Sequence, residues 1–311
     1  MNNTLEYQVS PYAPFMQESK ISLGNGIDLH IEIGGKEEHP TIILIMGLGA
    51  QMLFWPDFFC KSLIDQGFRV VRFDNRDIGL STKIRHQGPR LNTFKLMGRF
   101  AFGLPNRGSP YNLYDMADDV ALLIECLGLE KAHIIGASMG GMIGQILAAK
   151  HPDKVDKLGL LFTSNNQPFL PPPFPKQLFS LIGRPASNDE NGIISHSIKV
   201  IQTIGSPGYV NQLEVIENAR KLYHRSYHPA GVLQQFLAIL CTGSLVSLDK
   251  QIQQPTLVLH GSKDRLLPYS HGKAVAKAIA GAKFELIDGM GHDIPAHFIP
   301  QLSGLFAKHF K

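Results

Sequence analysis

The sequence predicts an α/β protein with a doubly wound, mostly parallel sheet and helices on both faces. Short apolar runs at residues 41–46, 69–73 and 131–135 have the length and composition of buried strands. Longer runs with helical spacing of apolar side chains separate them. Strands that alternate with helices form parallel sheets through right-handed crossovers, so this alternation predicts the fold class.

Each element of the first half has its own pattern. Residues 27–33 alternate apolar and polar side chains, which predicts an early antiparallel strand that turns at Gly34-Gly35. Helices and strands then alternate until a strand at residues 157–162 closes this half. The predicted helices lie at residues 54–66, 113–127 and 141–150.

The pattern changes after this half, because residues 163–254 contain no convincing strand. The stretch opens with a proline-rich run at residues 168–175 and is too long to be a bare loop in a compact domain. Helical spacing of apolar residues recurs through the rest of it. The three helical segments lie near residues 193–204, 210–223 and 230–240.

The strand pattern resumes at residues 255–260 and again at residues 283–288. Residues 255–260 resemble the buried strands of the first half, whereas residues 283–288 alternate polar and apolar side chains as a strand does. The sequence therefore predicts a single core built from residues 1–162 and 255–311, with residues 163–254 inserted between its two parts.

A serine lies between two glycines at the junction of a strand and a helix. Gly136-Ala137-Ser138-Met139-Gly140 follows an apolar run and precedes a predicted helix. So sharp a turn strains the serine backbone, and side chains two positions away on either side would collide, so glycine is needed there. The turn would expose the Ser138 hydroxyl above a helix N-terminus, where N–H groups favour negative charge. Alternatively, the serine only caps the helix.

Two further polar residues follow strand ends in the second half. Asp264 comes shortly after the first strand of that half, and His292 lies in a glycine-rich loop after the last strand. Ligands bind at the carboxyl ends of the strands in open α/β sheets. Ser138, Asp264 and His292 are therefore predicted to meet at one edge. Asp288, directly before the same glycine-rich loop, is the alternative acid.

The chain resembles the α/β-hydrolase superfamily over nearly its whole length, apart from the first twenty residues. The Gly-x-Ser-x-Gly turn and the order Ser138, Asp264, His292 match the nucleophile elbow and the triad order of that superfamily. Residues 41–50 look like the strand and loop that carry the oxyanion hole. With Trp55-Pro56, this loop and the D-x-R-x-x-G-x-S turn at residues 74–81 are similar to the aclacinomycin methylesterase branch.

The resemblance implies a role for each candidate residue. Ser138 would be the nucleophile, His292 the general base, and Asp264 the carboxylate that fixes the His292 tautomer. By the same analogy, the backbone N–H groups of Met139 and Leu48 would form the oxyanion hole.

The implied function is hydrolysis of a small-molecule carboxylic ester through an acyl-enzyme, by a methylesterase-like or short-chain carboxylesterase activity. The same residues could instead transfer the acyl group to another nucleophile, as in acyltransferases and perhydrolases, or bind a ligand with little turnover. We expect neither a metal nor a cofactor. No His, Asp or Cys cluster has metal-ligand spacing, and no Gly-rich phosphate motif follows the first strand.

The inserted segment implies a substrate pocket. The superfamily carries a helical cap over the active site at this point of the chain, so residues 163–254 are expected to be that cap. Phe169, Leu170, Phe174 and Phe179 are predicted to line or roof the acyl pocket, because small-molecule sites are largely apolar. The proline run has other interpretations, as a rigid linker or a ligand for an aromatic groove.

A second, smaller insertion is predicted at residues 83–111, where basic and apolar side chains are mixed. We interpret it as a cover for the sheet edge that joins the cap. The alternative is an amphipathic flap that touches a membrane surface or a lipid substrate.

Composition limits the partners and the location. The formal net charge is +4 and the basic residues are scattered, whereas a nucleic-acid footprint needs them clustered, so no nucleic-acid partner is expected. The first seven residues have neither a basic nor an apolar leader pattern. No run approaches the roughly 18 apolar residues of a membrane span. We therefore expect a cytoplasmic protein without a transmembrane segment.

Overall fold

The computed structural model describes residues 6–85, 88 and 91–311, and leaves the side chain of Ile182 undescribed. Residues 1–5, on which part of the location prediction rests, lie outside these ranges, as do residues 86, 87, 89 and 90 of the smaller predicted insertion. The described strands are β1 (Gln8–Val9), β2 (Met16–Ser22), β3 (Asp28–Gly34), β4 (Thr41–Ile45), β5 (Arg69–Phe73), β6 (Ala132–Ala137), β7 (Val155–Leu161), β8 (Thr256–Gly261) and β9 (Lys283–Ile287).

Eleven α-helices lie within the same ranges. None of them is both long and apolar enough to cross a membrane, as far as the described residues extend. The helices are α1 (Asp57–Asp65), α2 (Thr93–Ala101), α3 (Leu113–Cys126), α4 (Met139–Lys150), α5 (Pro175–Ile182), α6 (Glu190–Ile204), α7 (Gln212–Arg225), α8 (Pro229–Thr242), α9 (Val246–Asp249), α10 (Ser270–Ala278) and α11 (Ile299–Phe310).

The nine strands form one sheet in the order β1-β2-β3-β5-β4-β6-β7-β8-β9. Strands β1, β2, β3 and β5 pair antiparallel in succession. Every pair from β5 through β9 is parallel. The predicted mostly parallel sheet is confirmed, and the predicted antiparallel strand at residues 27–33 is β3.

Helices cover both faces of the sheet, as predicted. Neighbouring side chains of a strand point to opposite faces, so each buried strand packs against both helical layers. Along β4, Ile43 and Ile45 join one apolar cluster that includes residues of α3 and α4. Ile42 and Leu44 join a second cluster that includes residues of α1 and α11. Strands buried on both faces have nearly continuous apolar sequences, and this pattern predicts them from the sequence.

The structure has five helices, α5 to α9, between β7 and β8, and its described residues include no strand there. The three predicted helical segments correspond to α6, α7 and α8. Helices α5, α6 and α7 pack on one another in succession. Helix α8 packs against α2 and α3 instead, so it contacts helices that precede β6 in the chain.

His133 on β6 has an unusual environment for a histidine. Its ring stacks on Phe310 at a centroid distance of 4.7 Å, and its Nδ1 atom lies 3.4 Å from Asp156 Oδ2. Burial outweighs the attraction of Asp156 and lowers the pKa of His133 to about 4. The folded protein therefore holds this imidazole neutral at neutral pH.

This environment predicts a specific dependence of stability on pH. The unfolded His133 titrates near pH 6.5, so the unfolded chain binds the proton more tightly and stability falls as the pH drops from about 6.5 towards 4. Between about pH 7 and pH 4.5, His133 should remove about 2 kcal/mol from the free energy of unfolding. Urea denaturation at both pH values should show a smaller loss in His133→Gln than in the wild type. Equal losses would contradict the prediction.

Candidate active site

Ser138 occupies a strained turn between β6 and α4, with φ of 54° and ψ of −120°. A Cβ atom at Gly136 would lie 2.3 Å from the carbonyl oxygen of Gly140, and one at Gly140 would lie 2.0 Å from that of Ile45. Both distances are far inside van der Waals contact. The backbone around the serine therefore requires glycine at both positions, as the sequence pattern predicts.

Ser138, His292 and Asp264 form one continuous line of hydrogen bonds. His292 Nε2 lies 2.9 Å from Ser138 Oγ, and His292 Nδ1 lies 2.7 Å from Asp264 Oδ2. Because the carboxylate can only accept, Nδ1 carries the proton and Nε2 accepts from the serine hydroxyl. The ring of Phe162 lies 4.6 Å from the imidazole and shields its side. The three residues predicted to meet at the carboxyl edge of the sheet are therefore adjacent.

Asp264 is held from both sides. Its Oδ1 atom accepts hydrogen bonds from the backbone N–H groups of Leu266 and Leu267, at 2.9 and 2.8 Å. Its Oδ2 atom faces His292 and also lies 3.3 Å from His260 Nε2. Burial by itself would raise the pKa of the Asp264 carboxyl, but the two histidines outweigh it, and the pKa lies well below its ordinary value. The carboxylate is therefore ionised wherever the protein is folded near neutral pH.

Asp288, the alternative acid, lies elsewhere. Its side chain is exposed, and its Oδ1 atom accepts from Ser262 Oγ at 2.8 Å. The same Ser262 Oγ accepts from the backbone N–H of Gly289. Asp288 thus closes a surface turn, while Asp264 contacts the imidazole.

The candidate oxyanion groups flank Ser138. Met139 is the first residue of α4, where N–H groups have no acceptor within the helix. Leu48 follows Gly47, and a Cβ atom at Gly47 would lie only 3.1 Å from Ser138 Cβ, which shows how closely this loop approaches the serine. Among the described residues neither N–H donates to a protein acceptor. Both are free to bind an oxygen atom.

The loop that carries Leu48 is fixed from the core and from α8. Asn75 Nδ2 donates to the carbonyl oxygen of Met46 at 2.9 Å. From the other side, the Gly49 N–H donates to Gln235 Oε1 of α8 at 2.9 Å. Gln235 in turn donates to the carbonyl oxygen of Arg76. The inserted helices therefore help to set the position of this loop.

The connection after α6 holds the His292 loop in a similar way. The His292 N–H donates to the carbonyl oxygen of Ile204 at 2.9 Å, and the Gly291 N–H donates to Ser206 Oγ at 2.8 Å. Asp293 Oδ1 accepts from both the N–H and the hydroxyl of Ser206. Burial, opposed by these hydrogen bonds, raises the pKa of Asp293 above its ordinary value. Sequence reasoning missed Ser206, which lies in a short helix-to-helix connection without a motif.

The four predicted pocket residues lie along the start of the inserted segment. Phe169, Phe174 and Phe179 are exposed, at 82, 51 and 65 % of their maximum, and Leu170 is half-buried. The Phe174 N–H donates to the carbonyl oxygen of Arg265, directly after Asp264. None of the four forms a hydrogen bond with Ser138 or a ring contact with His292, so their role as a pocket lining stays a prediction.

Other candidate sites are separate from this edge. No group of three His, Cys, Asp or Glu side chains able to hold a metal ion occurs in the described ranges. A cavity of about 340 Å³ opens near the opposite end of the sheet. It is lined by Tyr7, Gln17, Ile33, Gly35, Glu37, Arg69, Cys126 and Leu127.

The fold and the residues at the carboxyl edge of the sheet define a hydrolase of the α/β class. Comparisons with known proteins indicate the same class. The α/β-hydrolase fold family matches residues 40–184. A poly(3-hydroxyalkanoate) depolymerase from Ectopseudomonas oleovorans is 30 % identical over 260 residues, which span 83 % of this chain and 80 % of that protein. The chain belongs to the α/β-hydrolase fold family.

Two further similarities agree with the family. The rhodomycin D methylesterase DnrP from Streptomyces peucetius is 22 % identical over 88 % of this chain and 92 % of its own length. The crystal structure of an enol-lactonase from Burkholderia xenovorans LB400 superposes with a TM-score of 0.70 at 22 % identity, over 92 % of this chain and 97 % of that one. The predicted resemblance to the methylesterase branch is thereby confirmed.

Proposed function

We propose that the protein is a serine hydrolase of small-molecule carboxylic esters, with Ser138, His292 and Asp264 as its catalytic triad. The observation that carries this proposal is the unbroken hydrogen-bond line from Ser138 Oγ through His292 to Asp264. Two relatives support the ester class by their names: one is a methylesterase and the other depolymerises a polyester.

The first half-reaction forms an acyl-enzyme. Ser138 Oγ attacks the ester carbonyl carbon as His292 Nε2 removes its proton, and the carbonyl oxygen takes up the electron pair as an oxyanion. The oxyanion then re-forms the carbonyl, the bond to the alkoxy oxygen breaks, and His292 gives its proton to the departing alcohol. Asp264 stabilises the imidazolium between these two steps.

The second half-reaction releases the acid. A water molecule loses its proton to His292 and attacks the acyl carbon, which gives a second oxyanion. The carbonyl then re-forms, the bond from the acyl carbon to Ser138 Oγ breaks, and His292 returns the proton to Ser138 Oγ. In both half-reactions the N–H groups of Leu48 and Met139 would stabilise the oxyanion. Their lack of a protein acceptor among the described residues supports this assignment.

We further propose that residues 163–254 are a cap and that Phe169, Leu170, Phe174 and Phe179 line the acyl pocket beneath it. The bonds of Gln235 to the Gly49 loop and of Ser206 to the His292 loop support a covering role. Phe174 has the most direct link to the site, since its N–H is bonded beside Asp264.

A series of nitrophenyl esters from acetate to palmitate, together with polyketide-type methyl esters, tests this function. The wild type should hydrolyse at least one of them with many turnovers, and Phe174→Ala with Phe179→Ala should shift the preferred chain length more than it changes acetate hydrolysis. Product analysis with added alcohol separates hydrolysis from acyl transfer. Stoichiometric release without turnover would support a ligand sensor and contradict the proposal.

A further inference from the structure

The short helix α2 and the loop after it expose several large apolar side chains. Phe94 and Phe102 are 76 and 69 % exposed, and Leu104 is 48 % exposed. These exposed side chains are not needed to pack α2 against its neighbours, because other apolar residues of α2 already make those contacts. Its residues Leu96, Met97 and Phe100 lie against Leu237 and Leu240 of α8.

The exposed loop is held firmly from below. Asn106 is buried, and its Nδ2 atom donates to the carbonyl oxygens of Leu96 and Leu240 at 2.9 and 3.1 Å. Arg99 Nη2 donates to the carbonyl oxygen of Pro105 at 2.7 Å. These bonds attach the C-terminal end of residues 102–105 to α2 and α8, and Phe102 and Leu104 remain exposed.

The apolar surface continues onto the inserted segment. The rings of Phe102 and Phe169 pack edge to face at 6.4 Å, although Phe169 is itself 82 % exposed. A Cβ atom at Gly103 would lie 2.7 Å from Pro168 Cγ, so the backbone at Gly103 lies directly against the Pro168 ring. We call the exposed side chains of Phe94, Lys95, Phe102, Leu104 and Arg107 the docking patch, and Phe169 borders it.

The segment that carries the docking patch and the segment that borders it have charges of one sign. Basic residues are scattered over the whole chain, but residues 78–114 contain six Lys or Arg and no Asp or Glu. Residues 163–188 contain two Lys or Arg and likewise no Asp or Glu. Helix α8, which lies beneath α2, also has no acidic residue. Lys95 and Arg107 belong to the same segment as Phe94 and Phe102, and both are exposed.

We propose that the docking patch binds the surface of an anionic phospholipid bilayer. Aromatic and leucine side chains enter the boundary between headgroups and acyl chains, and flanking Lys and Arg side chains contact anionic headgroups. A protein partner would require matching carboxylates as well as a matching shape, whereas a lipid surface needs only the combination present here. The inference does not depend on the proposed reaction.

Vesicle sedimentation tests the proposal with the full-length protein. Vesicles of phosphatidylcholine alone are compared with an equimolar mixture of phosphatidylcholine and phosphatidylglycerol. The wild type should bind the mixed vesicles and not the neutral ones, and added salt should release it. Phe102→Ser with Leu104→Ser, and separately Lys95→Glu with Arg107→Glu, should each weaken binding by about tenfold or more.

Matched changes elsewhere provide the control. Phe58 on α1 is 75 % exposed, and Lys308 on α11 is exposed, so Phe58→Ser with Lys308→Glu alters similar side chains away from the patch. This variant should bind like the wild type, and all variants should keep the wild-type melting temperature. Equal binding to neutral vesicles, no binding at all, or an equal loss in the control would overturn the proposal. So would self-association through the patch, seen by sedimentation velocity, without vesicle binding.

Discussion

Ser138→Ala should lower kcat/KM on the best ester substrate by about 10⁴–10⁶-fold, because without the hydroxyl only binding and oxyanion stabilisation remain. The strained backbone and the surrounding glycines do not depend on the hydroxyl, so the variant should fold like the wild type. Steady-state kinetics and circular dichroism measure both quantities. Ser262→Ala is the matched control, since Ser262 is bonded to Asp288 and not to His292. This control variant should lower kcat/KM by at most a few-fold.

A covalent probe tests the same residue independently of turnover. An organophosphonate ester should attach to Ser138 Oγ, because its tetrahedral phosphorus resembles the acylation intermediate. Mass spectrometry of the digested protein locates the adduct. A residual activity close to wild type in Ser138→Ala, or an adduct on another residue, would remove Ser138 from the proposed role.

The parts of the fold that the sequence predicts are those in which local chemistry is decisive. Parallel strands such as β4 and β8 are buried on both faces and almost wholly apolar. The elbow needs glycine at Gly136 and Gly140 for steric reasons that act within a few residues. Asp264 and His292 follow strands whose carboxyl ends must share one edge. Their meeting follows from topology once the strand order is correct.

Strand β2 shows why the N-terminal part was not predicted. Its residues Glu18 and Ser19 are both buried, so the apolar and polar alternation that marks a strand is absent. Glu18 is buried because distant residues reach it, including Gln8 and His30. Partners that lie in other strands leave no signal in the local sequence.

The contacts that Ser206 and Gln235 make with the candidate site could not be predicted from the sequence either. Ser206 reaches the His292 loop across a separation of 85 residues, and Gln235 reaches Gly49 across 186. Neither residue belongs to a motif. Their roles depend on how α6 and α8 pack over the core, and packing of this kind is decided by tertiary structure and not by periodicity.

Asp264→Asn should lower kcat/KM by about 10³–10⁴-fold, since the carboxylate of such a triad fixes the imidazole tautomer. The local geometry gives the reason. Two backbone N–H groups, from Leu266 and Leu267, point at Oδ1, so the carbonyl oxygen of the substituted amide would take that position and its NH₂ group would turn towards His292. His292 Nδ1 would then accept, Nε2 would carry the proton, and Nε2 could no longer accept from Ser138 Oγ.

Asp288→Asn provides the comparison, because the two acids follow adjacent strands and only one contacts the imidazole. It removes one side-chain hydrogen bond in an exposed turn and should change kcat/KM by at most a few-fold. Both variants are measured with the same ester, and circular dichroism confirms that each is folded. If Asp288→Asn were the severe change and Asp264→Asn stayed near wild type, the proposed acid would be wrong while the pair of Ser138 and His292 would stand. If Asp264→Asn alone is severe, the loss should persist as the pH is raised, because the amide does not titrate and the wrong tautomer remains the stable one.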